Sequence, residues 1–312
     1  MTEDRFFQQL FTRLPHPPAE VTVPPGDDCA AIALPDGSLL LFAVDQVVGD
    51  RHYVAHDAAD TPPELVGRKV MARNLSDIAA MGGTPTYCVV AAALPPHRSE
   101  AWMNGVLDGI IRLAAEYGVH MIGGDLAATP HDEVTSLAIL GVVEATQVCR
   151  RSGARAGDAL LATGRFGDSF ASGHHLTFTP RVKEGRWLAQ TGAVTAMMDV
   201  SDGLLLDASR VARASGVGLV LHPERIPLRT PQTTREAALH DGEDYELLVA
   251  VRPERVAELR AAWPFADVPL TPLGEFVATP APGVYDANGQ RLDDAGNAGY
   301  DHLARRGPGA KT

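Results

Sequence analysis

The sequence is poor in cysteine and short of positive charge. Only three cysteines occur among 312 residues, and no two of them form a CxxC pair. Neither a disulfide framework nor a structural zinc site is therefore expected. Lys and Arg number 27 against 39 Asp and Glu, which gives a formal net charge of −12. Nucleic acid and anionic membranes both require a basic surface, so we expect neither as a partner.

Long apolar runs and the common phosphate-binding fingerprints are also absent. No stretch is long and apolar enough to span a bilayer, and the first residues carry acids where a signal peptide carries basic side chains. These features predict a cytoplasmic protein. Neither GxxxxGK[ST] nor GxGxxG occurs, which excludes Walker-type and Rossmann-type phosphate binding. An acidic chain can still bind phosphates if divalent cations bridge the two sets of negative charge.

Apolar residues make up 45% of the chain, enough for two domains of medium size. Strand and helix patterns alternate in both halves, and a polar crossing follows the apolar run at 134–144. We therefore predict an α/β (α+β) protein of two mixed domains, spanning 1–147 and 148–312. Two apolar runs around the turn 35–38 predict a hairpin, and a helix is predicted at roughly 62–82.

The predicted helix 66–83 carries polar residues in an unusual place. On a helical wheel its apolar stripe consists of Val66, Val70, Ile78 and Met81. Asn74 and Asp77 fall within that stripe. Three further polar residues, Lys69, Arg73 and Ser76, fall beside it. A carboxylate on a buried face is costly unless it is paired or holds a metal, so Asp77 is either half of an ion pair or a metal ligand.

Other acids share one feature: each stands at the end of an apolar segment. They are Asp27, Asp28, Asp45, Asp125, Asp199 and Asp202. A single aspartate in such a position is usually a turn former. Six of them, with Asp77 on an apolar helix face, favour an oxygen-rich cluster that suits Mg²⁺. No His or Cys stands at the spacing that zinc ligands need.

Three glycine-containing segments stand where a strand turns toward a helix: IGGDL (122–126), TGRFGDSFASG (163–173) and SDGLLLD (201–207). Helix N-termini bind phosphate well. Taken singly these are weak signals, because most such glycines only permit tight turns.

Eight motifs occur in a family-specific order: GDDCAAI, DQVVGDRHY, ARNLSDIAAMGGTP, IGGDL, RSGARAGD, MDVSDGLLLD, GEDYELLVAV and GYDHL. Together they resemble the thiamine-monophosphate kinases, a family of the aminoimidazole ribonucleotide synthetase-like superfamily. The resemblance runs from about residue 26 to 303. It implies an N-terminal domain that dimerises through its sheet and a C-terminal domain beside it. The implied reaction is the ATP-dependent phosphorylation of thiamine monophosphate to thiamine diphosphate.

The resemblance also implies site residues. The expected ligands of several Mg²⁺ ions are Asp28, Asp45, Asp77, Asp125, Asp199 and Asp202, and Asp202 is the expected catalytic residue. The expected ATP contacts are Gly124, Asp125, Arg151 and Ser201. The expected contacts of thiamine monophosphate are His52, Glu243 and Tyr300. Asp207 lies on the helix predicted after the turn at 201–203, and it is expected to be a surface acid or one that supports the ligands.

The sequence departs from the family pattern at several positions. Ala43 and Val44 stand where Ser or Thr is common before Asp45, and DRH replaces GVH around His52. Neither Leu107 nor Asp108 can stack on adenine, although an aromatic side chain is often found there. No adenine-stacking residue is therefore assigned.

The implied chemistry agrees with the composition. A phosphate monoester acceptor is already ionised near neutral pH, so no strong base is needed. The obstacle is repulsion between two polyanions, which Mg²⁺ ions and positioning remove. Many Asp and few His or Lys are then expected at the centre.

Two alternatives stay open at this point. One is another ATP-using member of the superfamily, such as a selenide dikinase or a purine-pathway synthetase. A selenide dikinase would need a reactive Cys and a Lys in a Gly-rich N-terminal segment, whereas this N-terminus is Pro-rich and Cys29 has no Lys neighbour. The other is a non-enzymatic regulator that binds cations or nucleotides.

Overall fold

A computed structural model of the chain describes residues 3–55 and 60–293. Its helices are α1 Glu3–Phe11, α2 Pro63–Ala80, α3 Glu100–Glu116, α4 His174–Thr177, α5 Val182–Gln190, α6 Leu204–Ser215, α7 Arg235–His240 and α8 Val256–Ala262. Its strands are β1 Val21–Val23, β2 Ala30–Ala33, β3 Ser38–Val48, β4 Thr84–Leu94, β5 His120–Ala128, β6 Val134–Glu144, β7 Ala159–Thr163, β8 Val194–Asp199, β9 Gly218–Leu221, β10 Leu247–Val251, β11 Leu270–Val277 and β12 Gly283–Tyr285.

The N-terminal sheet has the strand order β1-β2-β3-β6-β4-β5. The predicted hairpin is confirmed, since β2 and β3 pair antiparallel with Ala30 opposite Phe42 and Ala33 opposite Leu39. Along β3, Leu39, Leu41 and Ala43 are buried while Phe42 is exposed, as the two-residue period of a strand requires. One face of this sheet is therefore packed and the other is open.

The C-terminal sheet has the strand order β12-β9-β11-β7-β10-β8. Its strand β10 is buried along its whole length, and it pairs antiparallel with β7 and with β8. The apolar face of α6 packs on this sheet through Leu204, Ala208 and Val211. The α/β class with a mixed sheet in each half is as predicted.

Helix α2 lies between the two sheets. It contacts α3, β3 and β6 of the N-terminal half and α4, α5 and β8 of the C-terminal half. The prediction of a single apolar stripe is wrong for this reason: Lys69, Arg73 and Ser76 are buried as well. A helix enclosed on all sides buries polar residues together with apolar ones, and these polar residues need partners.

One apolar core runs from the N-terminal sheet through α2 to β8 and β10, and a second lies under α6. Strand β6 ends at Glu144 and β7 begins at Ala159; the division at residue 147 stays a prediction. Short elements that the patterns did not indicate are β1, α4, α7 and β12. Among the described residues, no helix combines the length and apolarity that crossing a membrane would require. The cytoplasmic location stays a prediction.

Candidate metal and phosphate site

Three carboxylates converge at the junction of the two sheets. One oxygen each of Asp28, Asp77 and Asp199 lies within 4.8 Å of the others. Asp28 comes from the loop before β2, Asp77 from α2, and Asp199 from the last position of β8. We call these three residues the carboxylate cluster. The fold thus brings together acids that are far apart in the sequence.

Full ionisation of the three carboxyl groups in the cluster is unfavourable. Burial, together with the charges of Asp45 and Asp199, raises the pKa of Asp77 well above its usual value. Burial and the charge of Asp28 raise the pKa of Asp199 in the same way, although the Ser76 hydroxyl donates a hydrogen bond to Asp199 at 2.5 Å. A bound cation would remove both effects. A surplus of buried carboxylate oxygen therefore indicates a cation site.

The donor set fits Mg²⁺. All three cluster groups are oxygen ligands, which Mg²⁺ prefers. The nearby Cys29 is buried, and burial and the charge of Asp77 raise the pKa of its thiol well above the usual value. Without a metal, this thiol stays protonated near neutral pH.

Arg151 binds the acidic loop that carries Asp28. Its Nη2 lies 2.7 Å from Asp28 Oδ1, and its backbone N–H donates to Asp27 Oδ1 at 3.1 Å. Burial and the neighbouring Asp28 raise the pKa of Asp27 to about 6. The predicted ATP contact Arg151 is thus held against one member of the carboxylate cluster.

The turn after β8 is fixed by an acid on α6. Asp207 is fully buried and accepts the backbone N–H groups of Ser201 at 3.0 Å and Asp202 at 2.9 Å. Arg210 Nη1 lies 2.6 Å from Asp202 Oδ2 and 2.7 Å from Asp207 Oδ1. The expectation of a surface position for Asp207 is wrong, because the turn needs an internal acceptor; the alternative, a supporting acid, agrees with these bonds. Asp202, a predicted ligand, is engaged by an arginine.

The segment 242–246 has a strained backbone that packs on this turn. Glu243 has φ +69° and Tyr245 has φ +50°, values that non-glycine residues rarely adopt. Their N–H groups donate to Ser201 O at 2.7 Å and Val200 O at 2.8 Å. A Cβ on Gly242 would stand 2.7 Å from Ser201 O, so only glycine permits this approach. These two backbone hydrogen bonds hold Glu243 against the turn despite the strain.

Lys69 joins the predicted acceptor residues. It is fully buried, and its Nζ lies 2.7 Å from Glu243 Oε2 and 2.7 Å from His52 O. Burial lowers the pKa of Lys69 to about 8, although Glu243 opposes the shift. His52 is itself buried, and its Nδ1 accepts the N–H of Val48 at 3.0 Å. One ammonium group therefore ties the His52 loop to Glu243.

Arg73 holds Asp45. Its Nε and Nη2 lie 2.9 and 3.2 Å from the two oxygens of Asp45, and Asn74 Oδ1 accepts the N–H of Asp45 at 3.2 Å. Arg73 Nη1 lies 3.7 Å from Glu243 Oε1. We call Lys69, Arg73, Asp45 and Glu243 the paired group. Its two carboxylates face two cations.

Gly124 and Asp125 lie apart from the cluster. Both are exposed on β5, the edge strand, where Asp125 pairs in register with the exposed Ala91. Strands β6 and β4 separate β5 from the strand that carries Asp45, roughly 14 Å at the usual strand spacing. Within the described residues of one copy, Asp125 is not part of the three-carboxylate group.

The other predicted site residues lie around the junction. Arg151 contacts the carboxylate cluster, Ser201 contacts the strained segment, and His52 and Glu243 meet at Lys69. Tyr300 lies outside the described residues. Lys69 and Arg73 were not predicted as site residues. With Asp77 they form a polar stripe at every fourth position of α2, and this spacing is the sequence signal that could have identified them.

Models of known protein families match most of the chain. The family described as AIR synthase related protein, N-terminal domain, matches residues 26–143, and the corresponding C-terminal domain matches residues 155–287. The thiamine-monophosphate kinase of Rhodopirellula baltica is 37% identical over 83% of this chain and 84% of its own length. That of Synechococcus elongatus is 36% identical over 73% of this chain and 77% of its own length.

A solved structure has the same fold. The structure of AaThiL complexed with AMPPCP and TMP superimposes with a TM-score of 0.82 at 26% identity. The superposition covers 97% of this chain and 97% of the other.

Proposed function

Since the chain belongs to the thiamine-monophosphate kinase family, and is on those grounds a kinase, we propose that it transfers the terminal phosphoryl group of ATP to thiamine monophosphate, giving ADP and thiamine diphosphate. The proposal rests on the arrangement of charged residues along one face of α2. The carboxylate cluster stands at one end of this face, and the Lys69–Glu243 pair stands at the other. We assign the first end to the donor half of the site and the second end to the acceptor half.

In the donor half, Asp28, Asp77 and Asp199 would hold Mg²⁺ together with the phosphates of ATP. When bound, Mg²⁺ neutralises phosphate charge and orients the transferred group. Ser76 positions Asp199, while Arg151 and Ser201 offer a guanidinium and a hydroxyl to the phosphates. Asp45 and Asp202 each bind an arginine here, and their places among the ligands, with the catalytic role of Asp202, stay proposals.

In the acceptor half, Glu243 and His52 would bind the thiamine side of the substrate. The carboxylate of Glu243 is suited to a cationic ring, and Lys69 holds it in position. Tyr300 stays a proposed contact through a cation–π interaction. The acceptor phosphate is already ionised, so direct in-line attack needs orientation and exclusion of water rather than a strong base.

We also propose that two copies associate through the open face of the N-terminal sheet. This face and its edge strand expose large apolar side chains: Phe42, Val44, Tyr87, Val89, Ile122 and Leu126. Exposed apolar patches of this kind favour association. Asp125 and Gly124 lie on that edge strand, so the dimer is where they would meet ATP and Mg²⁺.

The names of the relatives favour this reaction over the other ATP-using enzymes of the superfamily. The test is ADP release with thiamine monophosphate, compared with thiamine, selenide and an aminoimidazole precursor as acceptors, each with Mg²⁺ and with excess chelator. We expect turnover only with thiamine monophosphate and only with Mg²⁺, because no Walker lysine neutralises the phosphates. Full activity in chelator would contradict the Mg²⁺ requirement. Turnover with another acceptor but not with thiamine monophosphate would contradict the proposed substrate.

A further inference from the structure

Arg73 stands between the two halves of the proposed site. It lies four residues after Lys69 and four before Asp77, so each step along α2 is roughly 6 Å. Lys69 contacts Glu243 and His52, whereas Asp77 belongs to the carboxylate cluster. Arg73 therefore lies between the two proposed halves along α2.

Only two of the three guanidinium nitrogens of Arg73 form hydrogen bonds to described residues. Nε and Nη2 bind the two oxygens of Asp45, but Nη1 has no hydrogen-bond partner among the described residues. Arg73 is 9% exposed, and its nearest carboxylate for Nη1 is Glu243 at 3.7 Å, beyond hydrogen-bond distance. A buried N–H without a partner is costly, and a ligand that accepts its hydrogen bond would remove this cost.

The charges identify the kind of ligand. A phosphate monoester entering the acceptor half meets the carboxylates of Asp45 and Glu243, which repel it. Within the described part of the chain, the ion pairs of Glu243 are with Lys69 and Arg73. Lys69 is fully buried, and its ammonium already contacts Glu243 and His52 O. Nη1 of Arg73, which has no hydrogen-bond partner among the described residues, is then a cationic donor open to the phosphate.

We propose that Arg73 binds the phosphate group of the acceptor through Nη1, and that Asp45 is the positioning residue that holds the guanidinium in the required plane. The inference rests on the proposed function, since it presumes a phosphorylated acceptor. A bidentate pair leaves the guanidinium little rotational freedom, so Nη1 is preorganised. Asp45 thus acts on the acceptor phosphate indirectly, by fixing the orientation of the Arg73 guanidinium.

The test compares the binding of thiamine monophosphate and of thiamine by calorimetry, with Mg²⁺ and without nucleotide. In the wild type, the monophosphate should bind more tightly than thiamine. In Arg73→Gln this preference should fall about tenfold or more, as expected for the loss of a charged hydrogen bond, while thiamine affinity stays unchanged. Arg73→Lys should retain part of the preference. AMPPCP affinity should be unchanged in both.

Arg68→Gln is the matched control. Arg68 lies on the same helix and donates to Leu176 O and Phe178 O, and neither bond involves the carboxylate cluster or the paired group; its loss should leave the preference intact. If Arg73→Gln does not fold, Arg73→Met keeps most of the side-chain length without its donors and should show the same loss; the Asp45 carboxylate is partly exposed and can then be solvated.

An unchanged preference in folded Arg73→Gln would overturn the assignment, and so would a loss of AMPPCP affinity in place of monophosphate affinity. A wild type that binds neither thiamine compound would instead overturn the proposed function, and this assignment with it.

Discussion

The carboxylate cluster and the paired group lie on the same helix and differ in charge balance. In the cluster, three carboxylates share one guanidinium, that of Arg151. In the paired group, two carboxylates face Lys69 and Arg73. A surplus of buried negative charge must be relieved by protonation or by a bound cation, whereas a balanced group is stable alone and can accept an anion. This difference in charge balance is the basis for proposing a metal-binding end and an acceptor end.

The largest expected effect comes from neutralising the cluster. Asp77→Asn removes one anionic ligand, so turnover with thiamine monophosphate should fall at least about a hundredfold at saturating Mg²⁺. The measurement is ADP release. Asp36→Asn, in the exposed hairpin turn, is the control and should keep normal turnover. Near-normal turnover of Asp77→Asn would remove Asp77 from the metal site.

A paired carboxylate should behave in the opposite way. Asp244 is fully buried, lies 2.5 Å from Arg229 and accepts the N–H of Gly167. Asp244→Asn leaves Arg229 unpaired and should lower the free energy of unfolding by roughly 3–5 kcal/mol at pH 8. Asp77→Asn, in the same buffer with chelator, should be as stable as the wild type or more stable, because like-charge repulsion is relieved. Urea unfolding of the two variants makes the comparison; equal losses would contradict it.

The cluster should also give the metal-free protein a pH-dependent stability. Burial raises the pKa values of Asp77 and Asp199, and that of Asp27 to about 6. The folded state then binds protons more tightly than the unfolded state, so stability should rise as pH falls from about 8 to 6.5. The lowered pKa values of His174 (about 4 against a usual 6.5) and His175 oppose this rise near pH 6.5, because an unfolded histidine is half protonated there.

Urea unfolding in chelator at both pH values measures this slope. Mg²⁺ should reduce this slope, because a bound cation keeps the cluster carboxylates ionised; the part due to Asp244, whose pKa burial raises to about 7, should remain. Metal-free stability that stays constant or rises with pH would contradict the interpretation.

The smallest expected effect concerns the acceptor end. His52→Ala removes a buried ring that accepts from Val48 N–H and lies beside the Lys69 contact. The KM for thiamine monophosphate should rise by about tenfold, as for the loss of one hydrogen-bonded contact, with AMPPCP affinity unchanged. His16→Ala, an exposed histidine, is the control. Weaker AMPPCP binding with an unchanged KM would assign His52 to the donor half.

Much of the fold could be predicted because its signals are local. The hairpin around Gly37 follows from alternating apolar residues and a turn tetrad, and α2 was expected within two residues of its observed ends. Helix α2 was nevertheless misjudged as amphipathic. Its local pattern cannot report that a second sheet covers the face with Lys69 and Arg73, since that contact joins residues more than a hundred positions apart.

For the candidate site as well, local sequence patterns could not predict contacts between residues that are distant in the sequence. Strand-end acids and a family resemblance sufficed to name Asp28, Asp77 and Asp199. Neither indicated that Asp45 is bound by Arg73 or Asp202 by Arg210. A carboxylate in a motif looks the same in sequence whether its neighbour in space is a cation or another acid, and only the packing of α2 and α6 decides this.

By itself, the sequence determined the alternation of strands and helices, the family, and the types of chemical group available for phosphate transfer. These depend on side-chain periodicity and on residue identity, which are properties of short segments. The tertiary structure alone decided which acids share a cluster, which are neutralised, and that Nη1 of Arg73 has no hydrogen-bond partner among the described residues. Those properties depend on distances and burial across the junction of two sheets, where charge interactions are strong because water is excluded.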